Sequence, residues 1–389
     1  LALGTGACWL QAGEPVSPPE KLAAEEWDYA KARHLLCRAG FSGPPDEVRR
    51  LQAMGLEKAV QSLIDFQALP EVAFEAPATP PRPPRPGELR QLDEQERREA
   101  RRRYMQQQRV HMQAVRAWWV RRMLETSRPL EEKMVLFWHG HFTSGARTVR
   151  DSQAMFDQNQ LFRRHALGNF RQLLHAVVHD PAMLGYLDNN RNTRQHPNEN
   201  LARELLELFT LGEGNYTERD VQESARALTG YHVDRAGGRF RFAGRAHDAE
   251  SKTIFGQTGN FDGDRLVDLI LEQPKTARWL AKRLFVFFAH DNPDEATIDH
   301  LAGILRDQKY ELRPFMAELF RLKEFYSPNS LGRQIKSPIQ LTIGTLRALG
   351  IREADDAAVA AAMRSMGQDL FEPPNVKGWD GGRAWINSN

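Results

Sequence analysis

The chain has 389 residues, 41% hydrophobic and 27% charged, a balance that supplies enough apolar material for a real core. Lys and Arg total 53 against 51 Asp and Glu, and a formal net charge of +2 argues against a dedicated nucleic-acid binder with a clustered basic face. No stretch approaches the roughly 18 to 20 uninterrupted apolar residues of a membrane-spanning helix; runs such as residues 284–289 suit a buried helix instead.

The chain opens at Leu1 rather than Met, so an earlier N-terminal piece is expected. Residues 1–8 read as the tail of an export signal, with small residues ahead of Cys8. Cys8 is then either lipid-anchored or an ordinary cysteine, and Thr5 stands where such signals prefer Leu. With Cys37 as the only other cysteine there is no disulfide framework, and at most one bridge in an oxidising compartment.

Taken in order, residues 29–67 predict two helices, with Leu35, Leu36, Val48, Leu51, Val60 and Leu63 at helical intervals around a turn at residues 40–45. Residues 69–87 form a proline-dense linker, extended at Pro80-Pro81-Arg82-Pro83-Pro84-Arg85-Pro86 because proline fixes φ and lacks an amide hydrogen. A long charged helix follows over residues 89–126, its first half laced by i,i+4 pairs such as Glu94 with Arg98. Its second half enters the core at Val115, Trp118, Trp119, Met123 and Leu124; interleaved Arg and Trp can bind nucleic acid, but the acids within the same run partly cancel that field. Further helices are expected over residues 130–138, 158–179, 198–211 and 218–228. Residues 231–256 suggest a small β-ribbon, and helix returns at 263–273, 275–289, 294–307, 312–322 and 337–349 before a loop at 373–382. The pattern is that of a mainly α, multi-helical single domain.

Three polar clusters carry candidate chemistry. In Phe137-Trp138-His139-Gly140-His141-Phe142-Thr143, two histidines at i and i+2 lie about 200° apart on an ideal helix. If Gly140 ends the helix between them, both rings can turn to one metal ion; otherwise they are hydrogen-bonded core residues. In the 198–208 helix, Asn198 is a sound N-cap, and Glu199, Arg203 and Glu207 make a self-satisfying i,i+4 row. Glu204 stands outside that row with Asn200, so it is either a buried ion-pair member or a ligand or acid/base group. His247, Asp248 and Glu250 sit together on the ribbon and either complete a site or mark a polar hairpin crossing. His175 and His179, also i,i+4, lack the Glu of a His-Glu-x-x-His arrangement and are read as ordinary packing or surface residues.

At these segments the chain resembles the domain-of-unknown-function 1800 family. The matching pieces include Ala32-Arg33-His34-Leu35-Leu36, Ala39-Gly40-Phe41, residues 137–143, residues 164–170, Asp180-Pro181-Ala182-Met183 and residues 198–212. They continue through Ala225-Arg226-Ala227-Leu228-Thr229-Gly230, His247-Asp248, Ile335-Lys336-Ser337-Pro338 and residues 373–379 to Trp385-Ile386-Asn387. The resemblance implies an exported, periplasmic or cell-surface protein of bacterial type, and a companion resembling the sulfatase and alkaline phosphatase superfamily. It implies no reaction. It places all three polar clusters in one shared pattern, which favours a joint site. Residues 69–126 depart from the family pattern and read as an insertion in a helical domain of residues 29–389, with residues 1–28 an extension; more helix is expected after Asn389.

Two functions are therefore expected. One is a metal-dependent enzyme, a hydrolase or oxidoreductase using iron, zinc or copper. His139, His141, His247 and Glu204 would be its ligands, with Glu204, Glu199 and Asp248 orienting a ligand or moving a proton. The alternative is a non-catalytic helical scaffold docking a partner enzyme or a cell-surface polymer, with the same residues in a buried polar network.

Overall fold

Side-chain capping sets many helix starts: the carboxylates of Asp28, Asp151, Asp180, Asp262 and Asp294 each accept a backbone amide of the first turn. The structure, a computed structural model, describes residues 18–70, 72–84, 86–234 and 238–386. Residues 1–8, the expected export signal with Cys8, lie outside them, as does any bridge from Cys8 to the half-buried Cys37.

The first helices are α1 (Tyr29–Ala39), α2 (Pro45–Met54), α3 (Leu56–Ile64), α4 (Pro86–Arg90) and α5 (Glu94–Glu125). Next come α6 (Pro129–His141), α7 (Ala146–Val149), α8 (Ser152–Arg164), α9 (Phe170–Val178), α10 (Pro181–Tyr186), α11 (Asn200–Glu204) and α12 (Glu218–Ala227). Two antiparallel hairpins follow, β1 (Tyr231–Asp234) with β2 (Arg239–Phe242) and β3 (Lys252–Ile254) with β4 (Gln257–Gly259). The chain closes with α13 (Gly263–Glu272), α14 (Pro274–Phe288), α15 (Glu295–Asp307), α16 (Leu312–Leu319), α17 (Pro338–Ala348) and α18 (Asp356–Ser365). The protein is mainly α, as expected.

The departures have local causes. Gly55 at φ +74° separates α2 from α3, so residues 29–67 hold three helices rather than two. The expected 158–179 helix is two, because Asn169 caps α9 by accepting the amides of Arg171 and Gln172. The ribbon is a pair of hairpins, and the second reaches Gly259. Residues 72–84 form no helix or strand, and they lie along α5, where the Arg122 guanidinium stands 4.7 Å above the Phe74 ring.

Helix α6 runs through the middle of the core. Every residue of it except Gly140 is buried, including Glu131, Glu132 and Lys133. The fully buried Glu132 carboxylate accepts Trp119 Nε1 at 3.0 Å, Arg122 Nε at 3.0 Å, and Arg163 Nε and Nη2 at 2.6 and 2.8 Å. Burial opposes its charge, but Arg163 and Arg122 outweigh that and hold the carboxyl below its ordinary value. This one group ties α5, α6 and α8 together.

The exposed part of α5 is equally informative. Residues 93–107 are exposed except for Ala100 and Tyr104, which are partly covered, and Gln108 is the first buried side chain. There Gln108 Oε1 accepts the Ser152 amide and hydroxyl at 2.8 and 2.6 Å, and His111 Nδ1 meets the same hydroxyl at 2.8 Å. Residues 94–107 thus form an arm about 21 Å long at 1.5 Å per residue.

Glu132→Gln should strand two buried guanidinium groups and cost ~3–5 kcal/mol, read as a lower urea midpoint. A loss below about 1 kcal/mol would show that the network is relaxed by neighbours or water.

Candidate functional site

Helix α6 does not stop at Gly140 but runs through His141. The two histidines therefore keep helical spacing and point to different neighbours. His139 is stacked edge-on to Trp119 and Phe371, and its Nε2 accepts the Phe371 amide at 3.2 Å. His141 stacks on Phe137, and its Nε2 donates to the Phe209 carbonyl at 2.9 Å, while Nδ1 is buried without a partner among the described residues. Burial pushes both imidazoles down to about 3, so both are neutral.

The partner of His141 explains the next element. After α11 the backbone widens into a π-helical turn, Leu205–Thr210. Donors from outside the ladder take its carbonyls: His141 on Phe209, Trp279 Nε1 on Leu208 at 2.9 Å, and Thr210 Oγ1 on Leu205 at 2.6 Å. Such turns are frequent at functional sites, and here tertiary hydrogen bonds account for it. Gly212 ends the turn at φ +82°, and a Cβ there would lie 2.7 Å from the Trp279 ring.

Glu204 stands where α11 meets this turn. It is half-buried and makes no hydrogen bond or ion pair with the described residues. Burial and the nearby Glu207 push its carboxyl up, and Arg203 and Lys377 pull it back. Glu207 accepts the Tyr216 hydroxyl at 2.6 Å instead of joining the expected row. Glu199 does pair with Arg203 at 2.9 Å, and Arg203 also holds Glu218.

His247 and Asp248 serve the approach to the second hairpin. His247 Nδ1 meets the Thr229 carbonyl at 2.9 Å with its ring against Phe242. Asp248 pairs with Arg226 at 2.7 Å and accepts the Glu250 amide at 2.9 Å. His139, His141, Glu204 and His247 are not brought onto one ion: among the described residues, no group of three or more His, Cys, Asp or Glu stands where it could hold a metal.

What the fold does bring together is partly different. The 373–379 loop lies on the end of α6, with Gly378 at φ +86° so close that a Cβ would be 2.6 Å from the Gly140 carbonyl oxygen. Trp379 packs on His139, and Lys377 acts on Glu204. Tyr186 lies 3.3 Å from where a Cβ on Gly145 would be, and burial, Glu204 and Glu372 all push its phenol up. Tyr186, Glu204, Glu372 and Lys377 thus form a polar patch of phenol, carboxylates and amine. Residues 373–379 were legible as a loop, but nothing in the spacing of Tyr186 or Glu372 placed them beside Glu204.

His175 and His179 also have partners. His175 Nδ1 meets Asp264 Oδ1 at 3.0 Å and its Nε2 meets Asp268 Oδ1 at 3.3 Å, while His179 Nε2 lies 3.2 Å from the same Asp264 oxygen. Arg171 pairs with Asp268, and the Tyr231 hydroxyl donates to Asp264 Oδ2 at 3.2 Å.

The fold and patch define a helical protein whose separated sequence motifs meet around the end of one buried helix. The chain belongs to the family described as Protein of unknown function (DUF1800), whose model matches residues 34–389. It matches no curated protein and no solved structure.

Two outcomes follow. Glu204→Gln should leave the melting temperature unchanged or slightly higher, because a partly desolvated charge is removed and no ion pair is broken; a marked fall would place Glu204 in a structural pair. For His175, hydrogen bonding to Asp264 raises the folded value above the ordinary one. Its stabilising contribution is thus complete below an unfolded value of about 6.5 and lost as pH rises through the raised folded value. The stability gap between wild type and His175→Gln should shrink from pH 5.5 to pH 8.5, and a constant gap would exclude this linkage.

Proposed function

We propose that this protein is a helical docking scaffold that works outside the cytoplasm, and that the exposed arm of α5 is its docking element. The observation that carries this reading is the arm itself. On α5 the core-facing stripe of His111, Val115, Trp118 and Arg122 continues toward the N-terminus as Arg97, Arg101, Tyr104 and Gln108, which lie above no body except at Tyr104 and Gln108. Residues 94–109 carry six arginines and three glutamates. Arg98 pairs with Glu94 and Arg103 with Glu99, whereas Arg101, Arg102 and Arg109 make no ion pair among the described residues. A rigid helix with unpaired guanidinium groups suits an acidic protein surface. The companion resembling the sulfatase and alkaline phosphatase superfamily is the partner that family resemblance supplies. The buried histidines fit this reading too, because their hydrogen bonds serve the backbone of neighbouring elements.

A second reading rests on Glu204. A half-buried carboxylate without a hydrogen-bond or ion-pair partner among the described residues, beside Tyr186 and Lys377, suits proton transfer on a substrate at that patch. Its ligands for a metal would have to come from a rearrangement of His139 or His141.

The docking reading is tested with the purified companion protein and calorimetric titration. Arg101→Glu with Arg102→Glu should weaken binding by more than about tenfold and flatten its salt dependence, with the melting temperature unchanged because both side chains are exposed. Binding indifferent to the double reversal, or absent in the wild type, would remove the arm from this role.

A further inference from the structure

Between residues 73–81 and α5 lies an open groove rather than a packed contact. Two cavities of about 470 and 360 Å³ share Ala114 as a lining residue, one running past Ala117 to Glu125 and the other past Val110 to Gln106. From Gln106 to Glu125 the groove follows α5 for about 28 Å at 1.5 Å per residue. Its floor reaches solvent, since Ala114 is exposed and Val110 is 55% exposed. The outer wall is extended main chain, and residues 72–84 make no hydrogen bond among the described residues. The wall is held by the Phe74 ring, 4.7 Å from the Arg122 guanidinium, and by the carbonyls just before it. Pro70 accepts Ser127 Oγ at 2.8 Å and Leu69 accepts Arg128 Nε at 3.1 Å.

One end of this groove is acidic. Glu75, Glu125 and Asp356 border it, with Arg121 as the one cation on its lining. Arg121 closes on Asp356 at 2.8 Å and stays 4.0 Å from Glu125, and Glu75 makes no ion pair among the described residues. Arg122, beneath Phe74, is already held by Glu132. Negative charge is therefore in surplus at a place that solvent can enter, against apolar walls of Ala73, Pro77 and Ala117. The other end is bordered by Gln106, Gln107 and His111 and has no carboxylate on its lining. There Pro80 and Pro81 offer rings without N–H, while Ala78 and Thr79 keep amides free to donate.

We propose that this groove binds an extended peptide segment of a partner protein, with one Lys or Arg side chain of that segment seated at the Glu75 and Glu125 end. A length of about 28 Å takes about eight residues of extended chain. The unpaired main chain of residues 73–79 can add hydrogen bonds to such a segment, as an open strand edge does. The surplus carboxylates select a cation, and the apolar walls accept the stem that carries it. The site differs from the arm of α5 in the charge it calls for, basic rather than acidic, and does not depend on that docking reading.

The test is fluorescence polarisation on the whole protein with labelled alanine–proline octapeptides that carry one central arginine or one central glutamate. The arginine peptide should bind about tenfold more tightly than the glutamate peptide, and Glu75→Gln with Glu125→Gln should remove most of that difference. Ala114→Trp, which fills the groove from an exposed helix position, should abolish binding of both peptides with the melting temperature unchanged. Should that variant misfold, Val110→Trp, at the exposed position in the neighbouring cavity, should weaken both peptides in the same way. Equal binding of the two peptides, no binding of either, or binding indifferent to the tryptophans would overturn the proposal. So would arginine amide binding as tightly as the arginine peptide, which would make the groove a small-molecule site.

Discussion

The carboxylate of Glu132 is the group on which the core depends. It sits on a helix with no solvent-facing side, so its charge has to be balanced from within, and Arg122, Arg163 and Trp119 do so from α5 and α8. A buried carboxylate with four donors is stable only if all four stay in place. The position of α5 on α6 follows, and with it the point near Gln108 where α5 leaves the body and becomes an arm.

The same helix shows why metal-like residue patterns need geometry to be interpreted. His139 and His141 are neutral, buried and each joined to a main-chain group, so they act as hydrogen-bonding core residues. His141 is coupled to the π-helical turn, because a turn with displaced carbonyls needs outside donors and a buried imidazole N–H supplies one. That coupling holds the Leu205–Thr210 turn against the end of α6 and leaves Glu204 at the edge of the packed region, where Arg203 of its own helix and Lys377 both act on it.

Charge is distributed unevenly despite a net value of only +2. Arg101, Arg102 and Arg109, which make no ion pair among the described residues, gather on the arm. Composition averages these away against the acidic residues elsewhere. A chain that looks electrostatically neutral can therefore carry a local field suited to a broad acidic surface.

Much of the helical content was determined by the sequence alone, because apolar spacing and capping residues act within a few positions: α5, α6, α12 and α13 to α17 follow from them closely, whereas α18 was not expected. The ends of elements were less legible. Gly140 lies inside α6 rather than ending it, and beside it Trp138 donates to the Ala166 carbonyl and His141 to the Phe209 carbonyl, tertiary contacts that hold the last turn in place. The π turn after Glu204 depends on Trp279 and His141, which are 71 and 68 residues away from the carbonyls they bind. Residue types alone showed that Glu204 differed from the Glu199 and Arg203 pair, and that survives in the structure. Whether histidines separated by one glycine face one point or two is a matter of helix continuation, and the packing around α6 decided it.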